Sequence, residues 1–240
     1  GQARWVNPFL GSGGLGYDIG NSYPGPQLPF GMVKPGPDTM MEGSTATFYH
    51  CSGYYYVDDE ITGFSHTRLQ GTGVVEYGVP AVMPTVGMDA TKTEYHGYKS
   101  HFSHANEEAH PGYYAVTLDD SSVRVELTAT KRVAVHRWTF PAGSDAVALF
   151  DLAHVPAAPA AEVVIDDGRV TVDATAGEVH GFVHYHGGYS ARFGGLPVYF
   201  VARFDHAIAR HGVWKAGTLA DGEDERTGAD AGAYVAFDTT

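Results

Sequence analysis

Between Pro8 and Pro37 a glycine or proline recurs every few residues: Pro8, Gly11, Gly13, Gly14, Gly16, Gly20, Pro24, Gly25, Pro26, Pro29, Gly31, Pro35, Gly36 and Pro37. No helix survives that density. Each Pro removes a backbone donor, and each Gly costs about 1 kcal/mol against Ala inside a helix. Aromatic side chains nevertheless sit among or just beyond the breakers: Trp5, Phe9, Tyr17, Tyr23, Phe30, Phe48 and Tyr54 to Tyr56. Glycine-rich backbone with interleaved aromatics reads in two ways. It forms ordered loops that approach a ligand closely, or plain turns that cap a sheet while the aromatics fill its core.

From about residue 112 the pattern becomes period-two alternation. Val123, Val125 and Leu127 share one face, with Arg124, Glu126 and Thr128 on the other. Val133 and Val135 are expected to continue the apolar face in the next strand, which reads to Phe140. Ala146 to Leu152 is a continuous apolar run, the mark of a strand buried on both faces. Residues 162–165 and 169–173 flank Asp166-Asp167-Gly168, a hairpin signal. Glu178 to His186, Leu196 to Asp205 and Gly232 to Asp238 read as further strands, and Ala157 to Ala161 as a loop. With no helix longer than two turns, the expected fold is all-β, a sandwich.

Charge excludes several functions. The chain has 15 basic and 28 acidic residues, a net charge of −13, which repels phosphate backbones and anionic membrane surfaces. No apolar run is long enough to span a bilayer. The single cysteine, Cys51, permits neither an intrachain disulfide nor a C-x-x-C metal site. It reads as a small buried residue and not as a nucleophile. The chain begins without Met and stops just after a strand, as a trimmed piece of a longer protein would.

Histidines number 13, and His180, His184 and His186 fall on one face of a strand. Such imidazoles can bind Zn²⁺ or Cu²⁺, but no further ligand stands nearby in sequence, so separately hydrogen-bonded side chains are the expectation. His101 and His104 are read in the same way. The carboxylates Asp58, Asp59, Glu60, Glu76, Glu107 and Glu108 could supply a glycosidase pair, yet Asp58 and Asp59 also suit a turn before a strand. No nucleophile elbow or phosphate loop is present, and the Gly11 to Gly16 run opens no helix. Saccharides bind to aromatic faces together with planar polar side chains. Residues 51–56 and 64–70 offer that mixture.

These residues also carry a resemblance. NPFLGSGG (Asn7 to Gly14), PFGMV (Pro29 to Val33), PDT (Pro37 to Thr39), CSGYYY (Cys51 to Tyr56) and GFSHTRLQGTG (Gly63 to Gly73) come in the order seen in glycoside hydrolase family 92. So do MPTVG (Met83 to Gly87), FSHANEEAHPGYYAV (Phe102 to Val116), ELTATKR (Glu126 to Arg132) and HRWTFP (His136 to Pro141). From about Trp5 to Phe237 the chain resembles the N-terminal domain of these α-mannosidases.

The resemblance implies a two-sheet, mutarotase-like β-supersandwich filling residues 1–240, with a catalytic (α/α)₆-barrel domain of the same polypeptide after Thr240. It implies an exo-acting, inverting α-mannosidase acting on mannose-containing glycans such as N-glycans, with α-1,2-mannosidase-like preference. Calcium is implied in the complete enzyme, with its ligands and both catalytic groups outside this chain. Export to the periplasm or medium is implied as well. The substrate contacts carried over are Ser12, Gly13, Phe30, Gly31, Cys51, Ser52, Gly53, His66 and Arg68.

Relatives often have His-Gly-His where this chain has Leu15-Gly16-Tyr17, and His-Thr-His where it has His66-Thr67-Arg68. They also tend to have His at Tyr55. An Arg fork suits phosphate or carboxylate, so one hypothesis has Arg68 meet an anionic substituent, as on a mannosyl phosphodiester, against the alternative of a surface arginine with no specialised role. The rival readings are a free-standing carbohydrate-binding module and a domain that only braces the barrel.

Overall fold

The computed structural model describes residues 1–15, 20–41, 47–155 and 163–239. Gly16 and Tyr17, the loop read at 157–161 and the strand start at residue 162 lie outside the described residues. Among the described residues there is one α-helix, of four residues (Tyr95–Tyr98), and none long and apolar enough to cross a membrane.

Sixteen strands are described. They are β1 (Gly36–Met40), β2 (Glu60–Ser65), β3 (Ala81–Val86), β4 (Ser100–His101), β5 (Glu107–His110), β6 (Tyr113–Thr117), β7 (Arg124–Ala129) and β8 (Ala134–Thr139). There follow β9 (Ala146–Asp151), β10 (Val164–Asp173), β11 (Glu178–His186), β12 (Leu196–Arg203), β13 (Ile208–Lys215), β14 (Thr218–Asp221), β15 (Glu225–Thr227) and β16 (Ala231–Phe237). The largest sheet has the order β1-β2-β3-β9-β16-β13-β14, with β4 also on β2. Two four-stranded sheets, β5-β6-β7-β8 and β12-β11-β10-β15, complete the antiparallel architecture. The all-β sandwich expected from the sequence is present, but with three described sheets in place of the two expected, because the large sheet is apolar on both faces and serves as a layer common to both smaller ones.

Alternation along β9 shows why. Val147 and Leu149 pack with Tyr114, Val125 and Leu127 of the β5–β8 sheet, while Ala148 and Phe150 pack with Val170, Val179 and Val183 of the β10–β12 sheet. A strand covered on both faces needs an apolar residue at every position, which is what Ala146 to Phe150 supplies. β16 meets the same demand, with every residue buried from Ala231 to Ala236.

Two local expectations are corrected. Val133 and Val135 do not continue the core face, being 55% and 50% exposed. The turn that closes Thr130 onto Val133 sets the register of β8 on β7, so Ala134, His136 and Trp138 face inward instead. Asp166-Asp167-Gly168 is not a hairpin turn. β10 runs through it, and the register with β11 slips between Ile165 and Asp167, leaving Asp166 as a bulge. Gly168 is required for close approach: a Cβ there would lie 2.9 Å from a methyl of Leu152.

The facing of β7 and β8 is directly testable. Val125→Ala should cost about 2 kcal/mol in chemical denaturation, and Val135→Ala less than about 0.5 kcal/mol. Equal costs would mean that β8 presents its valines to the core.

Candidate functional site

The glycine-rich loops are organised around one side chain. Arg68, just past the end of β2, is 3% exposed. Its Nε–H donates to the Lys34 carbonyl at 3.2 Å. Nη1 donates to the carbonyls of Ser52 at 2.7 Å and Pro37 at 3.2 Å. Nη2 donates to the Gly36 carbonyl at 2.7 Å and to Ser65 Oγ at 2.8 Å. The Asp38 carboxylate is ion-paired to Nη2 at 3.1 Å, and the guanidinium carbon lies 4.3 Å from the centre of the Tyr23 ring. His154 then donates from Nε2 to the other oxygen of Asp38 at 2.8 Å. Burial pushes the Tyr23 hydroxyl well above the usual phenol range, with Arg68 opposing.

Arginine has five N–H donors in a fixed plane. Here acceptors from Lys34, from the start of β1, from Ser52 and from Ser65 converge on that plane. The expectation that Arg68 offers its fork to an anionic substituent is therefore corrected: the fork faces inward and holds protein carbonyls. Close approach to the guanidinium explains two glycines. A Cβ on Gly53, whose φ is +87°, would lie 2.1 Å from Asp38 Oδ1 and 2.7 Å from Nη1. One on Gly36 would lie 2.6 Å from the Tyr23 ring.

A second buried carboxylate supports the same loops. Asp58 Oδ2 accepts from Thr39 Oγ1 and from His50 Nε2, each at 2.7 Å, and Thr39 Oγ1 accepts from the Tyr55 amide at 2.9 Å. Beside it, the Glu107 carboxylate accepts from Tyr54, Tyr114 and His104 Nδ1.

The expected contact residues fall into distinct groups. Ser12 is buried, its Oγ donating to the Phe9 carbonyl at 2.7 Å and its own carbonyl accepting from Tyr56 N at 2.9 Å. Gly13 is partly exposed against Tyr56, whose own Cβ a Cβ at position 13 would approach to 3.0 Å. Cys51, Ser52 and Gly53 are buried. Gly31 is buried and closes a turn onto the Leu28 carbonyl at 2.9 Å. His66 donates from Nδ1 to the Pro80 carbonyl at 2.8 Å and has His136 against Nε2.

Phe30 alone presents a whole side chain outward. It is 105% exposed, and its φ is +58°, a conformation that bulky residues rarely adopt. It flanks an open concavity of about 350 Å³ lined by Gln27, Leu28, Pro29 and Lys34. The loop is held by Met32 N, which donates to the Lys131 carbonyl at 2.8 Å, and by Lys34 N, which donates to the His66 carbonyl at 2.8 Å. A left-handed aromatic that persists costs about 1–3 kcal/mol and needs such support.

Sequence reasoning missed Tyr23, Asp38, His154 and His136 as members of these networks. Asp38 stood inside a quoted motif, but nothing in the spacing links it to His154, 116 positions away. His184 and His186 both donate from Nδ1 to the bulged Asp166, at 3.1 and 2.9 Å. Among the described residues, no group of three or more His, Cys, Asp or Glu side chains is arranged to hold a metal. The buried carboxylates Asp38, Asp58, Glu60, Glu76 and Glu107 already accept from protein donors or pair with a protein cation. They do not fit a calcium ion, and no step through one follows from them.

Fold and loops together define a β-sandwich domain whose concavity is built on glycine-rich turns. The model of the glycosyl hydrolase family 92 N-terminal domain matches residues 5–240, and the chain belongs to that family. A family GH92 alpha-mannosidase from Bacteroides thetaiotaomicron has a similar structure, with a TM-score of 0.83 and 29% identity over 99% of this chain and 31% of that one. A family GH92 inverting mannosidase from the same organism superposes with a TM-score of 0.81 at 27% identity, over 99% of this chain and 29% of its own. An uncharacterized secreted glycosidase from Arthroderma benhamiae is 28% identical over 143 residues, 58% of this chain and 17% of that protein. The chain thus spans under a third of the length of these relatives.

Gly53→Ala provides the sharpest test of the buried cluster. Steric conflict with Asp38 and a left-handed backbone should cost at least about 3 kcal/mol in denaturant unfolding, against less than about 0.5 kcal/mol for a change at the exposed Gly112 that leaves its turn intact, such as Gly112→Asn. A mild effect at Gly53 would place the loop elsewhere.

Proposed function

We propose that this domain is the substrate-shaping wall of an exo-acting α-mannosidase that releases terminal mannose with inversion. The observation that carries the reading is Phe30, a fully exposed aromatic held in a strained conformation beside a concavity. Aromatic faces recognise the C–H surfaces of sugars, and Gln27 and Lys34 bring polar side chains to the same concavity. Gly31 closes the turn that carries Phe30, and Arg68 ties the neighbouring loop at Lys34 to the turn at Ser52; Ser12, Gly13 and Cys51 to Gly53 are proposed as further parts of the same wall.

Inversion requires a general acid and a general base about 6.5–9.5 Å apart with water between them. The buried carboxylates of this chain are engaged in ion pairs and hydrogen bonds within the fold. The reading therefore assigns both catalytic groups, and the calcium ligands, to a barrel domain following in the same polypeptide. The domain's own work is binding and orientation of a mannose-containing glycan, and exclusion of water from one side. Solved relatives described as mannosidases, an inverting one among them, support the reaction class. A relative described as secreted supports export.

Phe30→Gly in the full-length enzyme separates structure from recognition. Glycine relieves the left-handed strain, so the melting temperature should hold or rise. Loss of one aromatic contact should lower kcat/KM on an α-mannobiose by about tenfold, equivalent to ~1.4 kcal/mol. Unchanged kcat/KM would remove Phe30 from the substrate site and the reading with it.

A further inference from the structure

His66 and His136 form a buried contact that the proposed function leaves unused. Their Nε2 atoms are 3.0 Å apart, and the rings stack with centroids 4.9 Å apart. The proton positions follow from the partners. A carbonyl only accepts, so His66 Nδ1 carries the proton that it donates to Pro80 at 2.8 Å. Neutral His66 then has a bare lone pair on Nε2, and His136 Nε2–H fills it. That leaves His136 Nδ1 bare, buried and without a hydrogen-bond partner. The neutral pair is satisfied everywhere except at that one atom.

An added proton has no good position. At His136 Nδ1 it creates a buried N–H with no acceptor, and a second one between the Nε2 atoms breaks the shared bond outright. Charges on neighbouring elements give little relief. Burial depresses both imidazoles, His136 further than His66. On the segment of His66, Arg68 disfavours a proton, while Asp38 on β1 favours one. The 79–80 turn offers the Pro80 carbonyl, and Arg137 on β8 is directed to Glu126.

The pair also stands at a mechanical junction. The loop with Phe30 is strung between the His66 carbonyl, through Lys34 N, and the Lys131 carbonyl at the tip of the β7–β8 hairpin, through Met32 N. His66 belongs to the first support and His136, on β8, to the second. Their shared hydrogen bond is the side-chain tie between the two supports of that loop.

We propose that the His66–His136 pair is a proton-operated latch that keeps the Phe30 loop seated while neutral and releases it when protonated. The sign is fixed by the depressed affinity for protons in the closed form. Closed-state stability is complete above the ordinary imidazole range and declines as pH falls below it. Opening parts His136 from His66, which keeps its bond to the Pro80 carbonyl; at pH 5.5 the freed His136 imidazole, with an ordinary pKa of about 6.5, is about tenfold more protonated than neutral, so opening gains about tenfold if the closed pair stays neutral.

Hydrogen exchange of the full-length protein, corrected for the intrinsic pH dependence, tests the latch. The peptide covering residues 29–35 should lose about tenfold protection between pH 7.5 and 5.5, while peptides from β9 and β16 keep theirs. His136→Phe, which stacks but does not titrate, should abolish that pH dependence. Equal protection at both pH values, or a loss that persists in His136→Phe, would overturn the proposal. Should that variant fail to fold, imidazole nitrogen resonances of the unaltered protein decide. Protonation of His136 must coincide with loop release, and protonation with the loop still protected contradicts the latch.

Discussion

A buried guanidinium needs an acceptor for each of its N–H groups, because an uncompensated one costs several kcal/mol. Arg68 meets that demand with backbone carbonyls from the loop at Lys34, the first two residues of β1 and the turn at Ser52. The dependence runs both ways. The arginine is tolerable inside because these segments supply acceptors, and the arginine in turn ties them to one another. Gly36 and Gly53 are small because the guanidinium, Tyr23 and Asp38 fill the space that side chains would take. Once that cluster is set, the turn beginning at Leu28 projects Phe30 into solvent beside its concavity.

The rest of the fold supplies rigidity. A central sheet with apolar side chains on both faces joins two cores, one under the β5–β8 sheet and one under β10–β12. β9 and β16 at its centre are buried nearly throughout, while β1 and β2 continue toward the loops. Buried carboxylates mark the transition. Asp151 at the end of β9 accepts from Tyr98, Asp58 from Thr39 and His50, and Asp38 from His154. Each lets irregular backbone pack against apolar strands without leaving polar groups unpaired.

The all-β architecture was legible because breaker density and period-two alternation are local properties. β9 and β11 were read within a residue because one is uniformly apolar and the other alternates cleanly. The face of β8 was misread because both of its alternating sets contain apolar residues, and the register imposed by the Thr130 turn decided between them. Asp166 to Gly168 looked like a turn because the same residue types also serve a bulge and a close approach. At the candidate site, the aromatic and glycine-rich motifs fall in the loops that Arg68 and Asp58 tie together. Arg68 was taken for a ligand group because sequence shows a side chain's chemistry and not its direction. Its partners come from four separate stretches, and no spacing rule joins Tyr23, Asp38, Ser52 and Ser65.

The most direct measurement is the denaturant-unfolding free energy of Arg68→Lys in the full-length protein. Lysine keeps the charge but lacks the planar fork, so most of the carbonyls lose their donor at once. The account predicts a loss of about 3–5 kcal/mol, because several buried carbonyls are left without a donor. A stability within about 0.5 kcal/mol of the unaltered protein, as for an exposed ligand-reading arginine, would contradict it.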